Sequence, residues 1–347
     1  MNTFFIEFRD PLFSIIVFFV IIFIITFFSY WWSRYKRQED SKYLDTFLRQ
    51  FQTLPSKDEL TTLISGGELS EKSWLLLADA YFKRGDYEKA IEIYNEILKV
   101  GSLNTKETLF LLGKTYFKAG FLERSKQIFL QLLKKNPRTP QALHYLVLIY
   151  EQMRDYKAAL DVLEPLEELG ESVSKVKTYL QVLITLAEPE KTAQEKAEKL
   201  LAIYEASHEL THLIFDYIFR TNPSLAWRSF DSSQSELLTD IFWQLPEESL
   251  DFDIISKNAY LRELYSARGD FALTSSSSVF AFDVLIALRK ASNATLSFEY
   301  VCDKCKLTFP FSFHRCSACH AIGSAKVEFT LVRDYHKDFG EENNSFQ

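Results

Sequence analysis

The chain has no cysteine outside residues 302–319, and all four of its cysteines fall inside that window. Whatever the thiols do, they do in one place. It has no glycine-rich phosphate loop and no Gly-x-Ser-x-Gly. That removes the usual sequence signatures of nucleotide-binding and serine-hydrolase chemistry. Nor is there a basic excess: 40 Lys and Arg stand against 47 Asp and Glu, a net charge of −7. Nucleic acid as main partner would need a basic face, so none is expected. One stretch, Pro11 to Trp32, has no charge at all and is built mostly from Leu, Ile, Val and Phe.

That stretch sets the first expectation. A helix over its 22 residues would be about 33 Å long, against a hydrocarbon core of about 30 Å. A cleaved signal peptide is the competing reading. The preceding residues Glu7, Arg9 and Asp10 are not a basic cluster, and the exit is Tyr30-Trp31-Trp32 instead of a small-residue cleavage site. An aromatic exit of this kind anchors at the interface. Arg34, Lys36 and Arg37 follow at once, and the positive-inside bias puts the large C-terminal part in the cytoplasm. Residues 1–37 are therefore expected to be an uncleaved membrane anchor, with a single transmembrane helix over 11–32.

What the rest of the chain contains is repetition. Trp74, Leu77, Ala78 and Tyr81 are followed by Gly85-Asp86-Tyr87, then Ala90, Tyr94 and Ile97. A shift of 35 brings Leu109, Leu112, Gly113 and Tyr116 into line, then Gly120, Ser125, Phe129 and Leu132. A further shift of 34 brings Leu143, Leu146, Val147 and Tyr150, then Asp155-Tyr156, Ala159, Leu163 and Leu166. Large residues at i, i+3, i+4 and i+7 predict paired amphipathic helices, with small residues where the pair must approach closely. The pattern resembles the tetratricopeptide repeat in period and residue type. It implies an α-solenoid with three repeats over 71–173 and a mainly α fold. Positions 2, 5, 9 and 12 of each first helix should then face a concave groove. They are Lys72, Leu75, Asp79 and Phe82; Glu107, Phe110, Lys114 and Phe117; and Gln141, His144, Leu148 and Glu151. Aromatics mixed with both charge signs suit a protein partner better than phosphate or lipid. The competing reading is that a lead-in helix covers Phe82 and Phe117.

On either side the signal is weaker. Residues 38–70 read as a helical lead-in, with Leu44, Phe47, Leu48 and Phe51 on one face and interruptions at Pro55 and Gly66-Gly67. Residues 174–292 read as diverged helical pairs continuing the superhelix. Val176 to Leu183 and Ala197 to Tyr204 form a fourth pair, followed by Leu213–Phe219, Leu237–Leu245, Ile254–Tyr265 and Val279–Leu288. Near Ala294 the period changes to two: Leu296, Phe298 and Tyr300, then Val327, Phe329 and Leu331, predict strands bracketing the cysteines. Residues 334–347 are a polar tail.

Cys302-x-x-Cys305, ten residues, then Cys316-x-x-Cys319 offers four thiolates, a set that takes up a tetrahedral ion at about 2.3 Å. Disulfides are disfavoured for a domain facing the reducing cytoplasm. One structural metal ion is expected in a small β module over 293–333, zinc before iron, and it should supply much of that module's folding free energy. Four sulfurs close the shell, which leaves His314 and His320 as neighbours and gives no open position for hydrolysis. Iron in the same cage could pass electrons as rubredoxin does, and this is the rival to a non-catalytic role.

Anchor, repeats and knuckles together resemble the lipopolysaccharide assembly protein B family, most tightly in Tyr300-x-Cys302-x-x-Cys305 through Cys316-x-x-Cys319. The resemblance implies a rubredoxin-like module packed on the repeats and a single-pass protein of the inner membrane. It further implies a non-enzymatic adaptor that links an FtsH-like membrane protease to the deacetylase committing precursor to lipid A. Lys306 departs from the family pattern, which has Gly after the second cysteine, and residues 174–292 match poorly. A generic membrane-tethered repeat scaffold for another envelope complex is the blander alternative.

Overall fold

Local signals start and stop the first helices. In the computed structural model, α1 (Glu71–Arg84) begins at Ser70, whose side chain accepts from the Ser73 amide, and stops at Gly85 with φ 91°. Its acidic first turn and basic last turn oppose the helix dipole. Then come α2 (Tyr87–Val100), α3 (Thr105–Lys118), α4 (Leu122–Lys135) and α5 (Pro140–Gln152), the last with proline in its first turn. Helices α1 to α4 are two antiparallel pairs at the positions the repeat predicts. The structure describes residues 18, 20–28, 61–64, 66, 70–101, 104–271, 276–288 and 293–333.

The chain divides into two compact units, Met1–Arg154 and Asp155–Gln347. The division falls between the two helices of the third repeat, not after it. In the first unit Trp74, Leu77, Ala78, Ala90, Ile93, Tyr94, Ile97, Leu112 and Tyr116 share one buried core, with Leu63 and Ile64 of a helical turn over 61–64 packed on it. The small-residue expectation has a direct cause at Gly113. A Cβ there would lie 2.9 Å from the Phe129 ring, and the Ser125 hydroxyl donates to the Gly113 carbonyl at 2.8 Å. Of the expected span 11–32, residues 18 and 20–28 are described, and they are helical with exposed apolar side chains. Among the described residues no helix is long and apolar enough to cross a membrane. The rest of that span, Leu44 to Pro55 and the tail 334–347 lie outside the described residues.

The second unit opens with α6 (Tyr156–Asp161) and α7 (Leu163–Glu168). One helix was expected there; Pro165 has no N–H to give the Asp161 carbonyl, and the helix breaks. The expected fourth pair follows as α8 (Ser174–Ala187) and α9 (Ala193–Ala206), the latter opened by a reciprocal Thr192–Glu195 cap. Beyond it the structure departs from regular pairs. Helices α10 (Thr211–Thr221), α11 (Pro223–Ser229), α12 (Thr239–Gln244), α13 (Phe252–Lys257) and α14 (Ala259–Arg268) alternate with three 3₁₀ turns. Side-chain caps restart the chain every few residues: Asn222 accepts from Leu225, Asp251 from Ile254 and Asn258 from Leu261. Ile254–Tyr265, expected as one segment, is thereby split at Asn258.

After α15 (Phe280–Leu288), strands β1 (Ala294–Cys302), β2 (Thr308–Phe309) and β3 (Ala325–Arg333) form an antiparallel sheet in the order β2-β1-β3. The sheet is not a free-standing module. Leu296 and Ile322 belong to the same core as Phe215, Phe219, Trp227, Phe242 and Tyr265, and the Phe329 ring stacks on Phe282 of α15 at 5.3 Å.

Candidate metal centre

Two equivalent turns present the sulfurs. In the first, the Lys306 amide donates to the Cys302 carbonyl at 2.8 Å and the Cys302 amide to the Leu307 carbonyl at 2.9 Å. In the second, the His320 amide donates to Cys316 and the Cys316 amide to Ala321, both at 2.9 Å. Closing these turns requires a left-handed residue after the second cysteine of each, and Lys306 (φ 60°) and His320 (φ 61°) supply it. The departure from glycine at Lys306 therefore changes the residue and not the backbone.

All four Sγ atoms lie within 4.8 Å of one another, with Cys302 to Cys319 at 3.6 Å and Cys305 to Cys316 at 3.7 Å. A tetrahedron with metal–sulfur bonds of about 2.3 Å has edges of about 3.8 Å, whereas a disulfide is about 2.05 Å. The thiols are free, and their spacing fits one ion. Electrostatics fit too. Burial opposes ionisation of Cys302, but the Ser324 hydroxyl and the amides of Cys305 and Lys304 outweigh it and bring its thiol down to about 6. At Cys319 the Ala321 amide favours the thiolate, yet burial and the three neighbouring thiols raise it to about 12. Four thiols this close cannot all ionise unaided, and a divalent cation removes that repulsion. Cys302, Cys305, Cys316 and Cys319 would hold the ion, and their donor set accepts zinc or iron alike. Among the described residues no histidine joins the cluster. His320 gives its carbonyl to Arg315, and the His314 ring turns towards His212 at 6.1 Å.

That second direction leads to a polar cluster centred on Asp240. Asp240 is 4% exposed. It accepts from His212 Nε2 at 3.0 Å and from the Tyr300 hydroxyl at 2.8 Å. Burial pushes its carboxyl up, but the His212 and Tyr300 hydrogen bonds hold it below the usual range. With Asp216, Arg220 and His314 these groups line a cavity of about 540 Å³. Burial lowers His314 to about 4, so its ring is neutral there. No spacing could have revealed the cluster, since His212 and Asp240 are on different helices. Tyr300 had a signal, two residues before Cys302 on the same face of β1, as did His314 beside the second knuckle. His212 closes the run His208-Glu209-Leu210-Thr211-His212, which has the spacing of a zinc-protease motif. The His208 ring, however, packs on Tyr204 at 4.4 Å, and among the described residues neither histidine joins a metal-binding group. The second knuckle is tied down as well: Arg315 lies over the Tyr179 ring at 5.1 Å, and a Cβ on Gly323 would meet the Glu209 carbonyl at 2.7 Å.

The expected groove residues do not all face outwards. Leu75, Phe117 and Leu148 are buried. Phe117 and Phe110 pack edge-on against Tyr145, at 5.4 and 5.7 Å, so the first helix of the next repeat, α5, packs on Phe117. Phe82 meets Tyr87 and carries Lys114 over its ring at 4.9 Å. Lys72, Glu107, Gln141 and His144 are exposed, while Asp79 and Glu151 are half-buried.

Two family models, both described as tetratricopeptide repeat, match residues 71–101 and 110–170. No curated protein matches the chain. Two solved structures share 20% identity with it. One, a MamA RS-1 ArsTM double mutant, covers 46% of this chain and 89% of its own, with a TM-score of 0.36. The other, a crystal structure of MamA protein, covers 63% and 100%, with a TM-score of 0.34. At those scores neither likeness bears on what this chain does. Residues 71–101 and 110–170 are tetratricopeptide repeats, and neither family match reaches the four-cysteine module.

Proposed function

We propose that the chain is a non-enzymatic, membrane-tethered adaptor whose repeats hold a protein client and whose C-terminal module holds one structural metal ion, zinc before iron. The observation that carries this reading is the stripe Lys72, Glu107, Gln141 and His144. Lys72 and Glu107 lie on the first helices of the first two repeats, Gln141 and His144 on that of the third, and all four stay exposed while apolar neighbours are consumed by packing. A surface of both charge signs at repeat spacing suits an extended protein segment. The apolar run 11–32 and the basic Arg34, Lys36 and Arg37 support a single-pass anchor with the C-terminal part in the cytoplasm. The resemblance of the Tyr300–Cys319 knuckle to the lipopolysaccharide assembly protein B family supports an inner-membrane role in lipopolysaccharide regulation. In that role the chain links an FtsH-like protease to the lipid A-committing deacetylase.

Tethering raises the effective concentration of another membrane protein without new contacts. Detergent pulldown from native membranes should recover a membrane protease with the full chain and not with residues 38–347. Equal recovery by the fragment would contradict the reading. A red, reversibly reducible, iron-loaded protein would favour electron transfer instead.

A further inference from the structure

The first knuckle carries an apolar tip. Phe311 is 80% exposed and Leu307 51%, with Phe309 and Phe313 paired behind them at 4.9 Å. Strand pairing of Tyr300 with Phe309 and of Val301 with Thr308 fixes the loop on one side, and the Cys302–Leu307 turn fixes it on the other. The backbone carrying Leu307 is thus held before contact, which lowers the ordering cost there, and Phe311 follows β2 by two residues. Exposed Lys304 and Lys306 lie in the same knuckle, beside Leu307 in sequence. Asp303 is the only acid between 303 and 313, and it pairs with Lys306 at 2.8 Å.

We propose that this loop is a second membrane contact, seating Phe311 and Leu307 in the interface of an anionic bilayer with the lysines at the headgroups. Exposed aromatic and aliphatic side chains next to lysines are the chemistry of interfacial binding. So small a patch would be marginal alone. The bilayer is the occupant chosen because the same chain carries the uncharged run Pro11–Trp32, and a tether supplies an effective concentration in the millimolar range, at which weak contacts fill. The inference rests on the tethered reading above.

The test places the photoreactive benzoyl-phenylalanine at position 311 of the full, metal-loaded chain, reconstituted in phosphatidylcholine vesicles with and without phosphatidylglycerol. Lipid adducts are expected with phosphatidylglycerol. Lys304→Glu with Lys306→Glu should reduce them roughly fivefold or more. The same probe at Phe252, exposed elsewhere in this unit, should give few. No lipid adduct, equal yield from 252, or adducts to protein alone would each overturn the proposal. Carbonate extraction of the same samples separates the two readings. A chain that washes off overturns both, and a chain that stays without an adduct at 311 overturns the second contact alone.

Discussion

Arg154 stands at φ 60° where the first two repeats have Gly85 and Gly120, both also at positive φ. A left-handed L-residue costs about 1–2 kcal/mol, and glycine gives back about 0.5–1 of that in unfolded-state entropy. Arg154→Gly should therefore raise stability by about 0.5–1 kcal/mol, read as a shift in denaturant midpoint at unchanged slope. Asp240 poses the opposite case, a buried charge kept by its partners. Asp240→Asn should lower stability by about 1–3 kcal/mol at neutral pH, because the negative charge that strengthens the His212 and Tyr300 hydrogen bonds is lost and one of the two acceptor oxygens becomes an NH2 donor. Its folded carboxyl lies below the ordinary 3.8. The stability it contributes is full above that value and lost as pH falls through the lower folded one. The gap between variant and parent should accordingly narrow from about pH 7 to about pH 3; a constant gap would place the effect in packing. The residue scale was only partly legible. Gly113 and Ala78 could be read as close-approach positions, but nothing marked Tyr145 as the ring on which Phe110, Phe117 and Phe129 converge.

At the scale of elements, β1 joins two things that the sequence kept apart. Cys302 at its end is a metal ligand candidate, and Tyr300, Phe298 and Leu296 on the same face meet the helices. The sheet was expected to depend largely on the ion, because a module of its length has little core of its own. The helices lend it one. Stripping the metal with a chelator should thus abolish amide protection over 302–324 while much protection of 294–299 survives, measured by hydrogen exchange with mass spectrometry. Loss of protection throughout 294–333 would show that the ion and not the packing holds the strand. Release should become easier as pH falls, since each ligand must be a thiolate and protons compete for it. Cys305→Ser should reproduce the chelator's pattern. The helical elements were legible where period and caps agreed, as in α1 to α5. They were misjudged over 211–268, where Asn222, Asp251 and Asn258 restart helices inside runs whose hydrophobic period is unbroken.

For the whole molecule, the sequence by itself settled what depends on neighbours along the chain. The tetratricopeptide period, the turns, the two cysteine pairs and the switch to strand alternation are local patterns, set by backbone geometry within one helical pair or one turn. Tertiary structure alone decided which side chains each pattern exposes. Leu75, Phe117 and Leu148 occupy groove positions by spacing yet are buried, because the space beside a helix is filled by residues distant in sequence. The same holds for the acid, imidazole and phenol of Asp240, His212 and Tyr300, which meet only once strand and helices share a core. Burial is a property of the packed neighbourhood, and periodicity along a chain does not carry it.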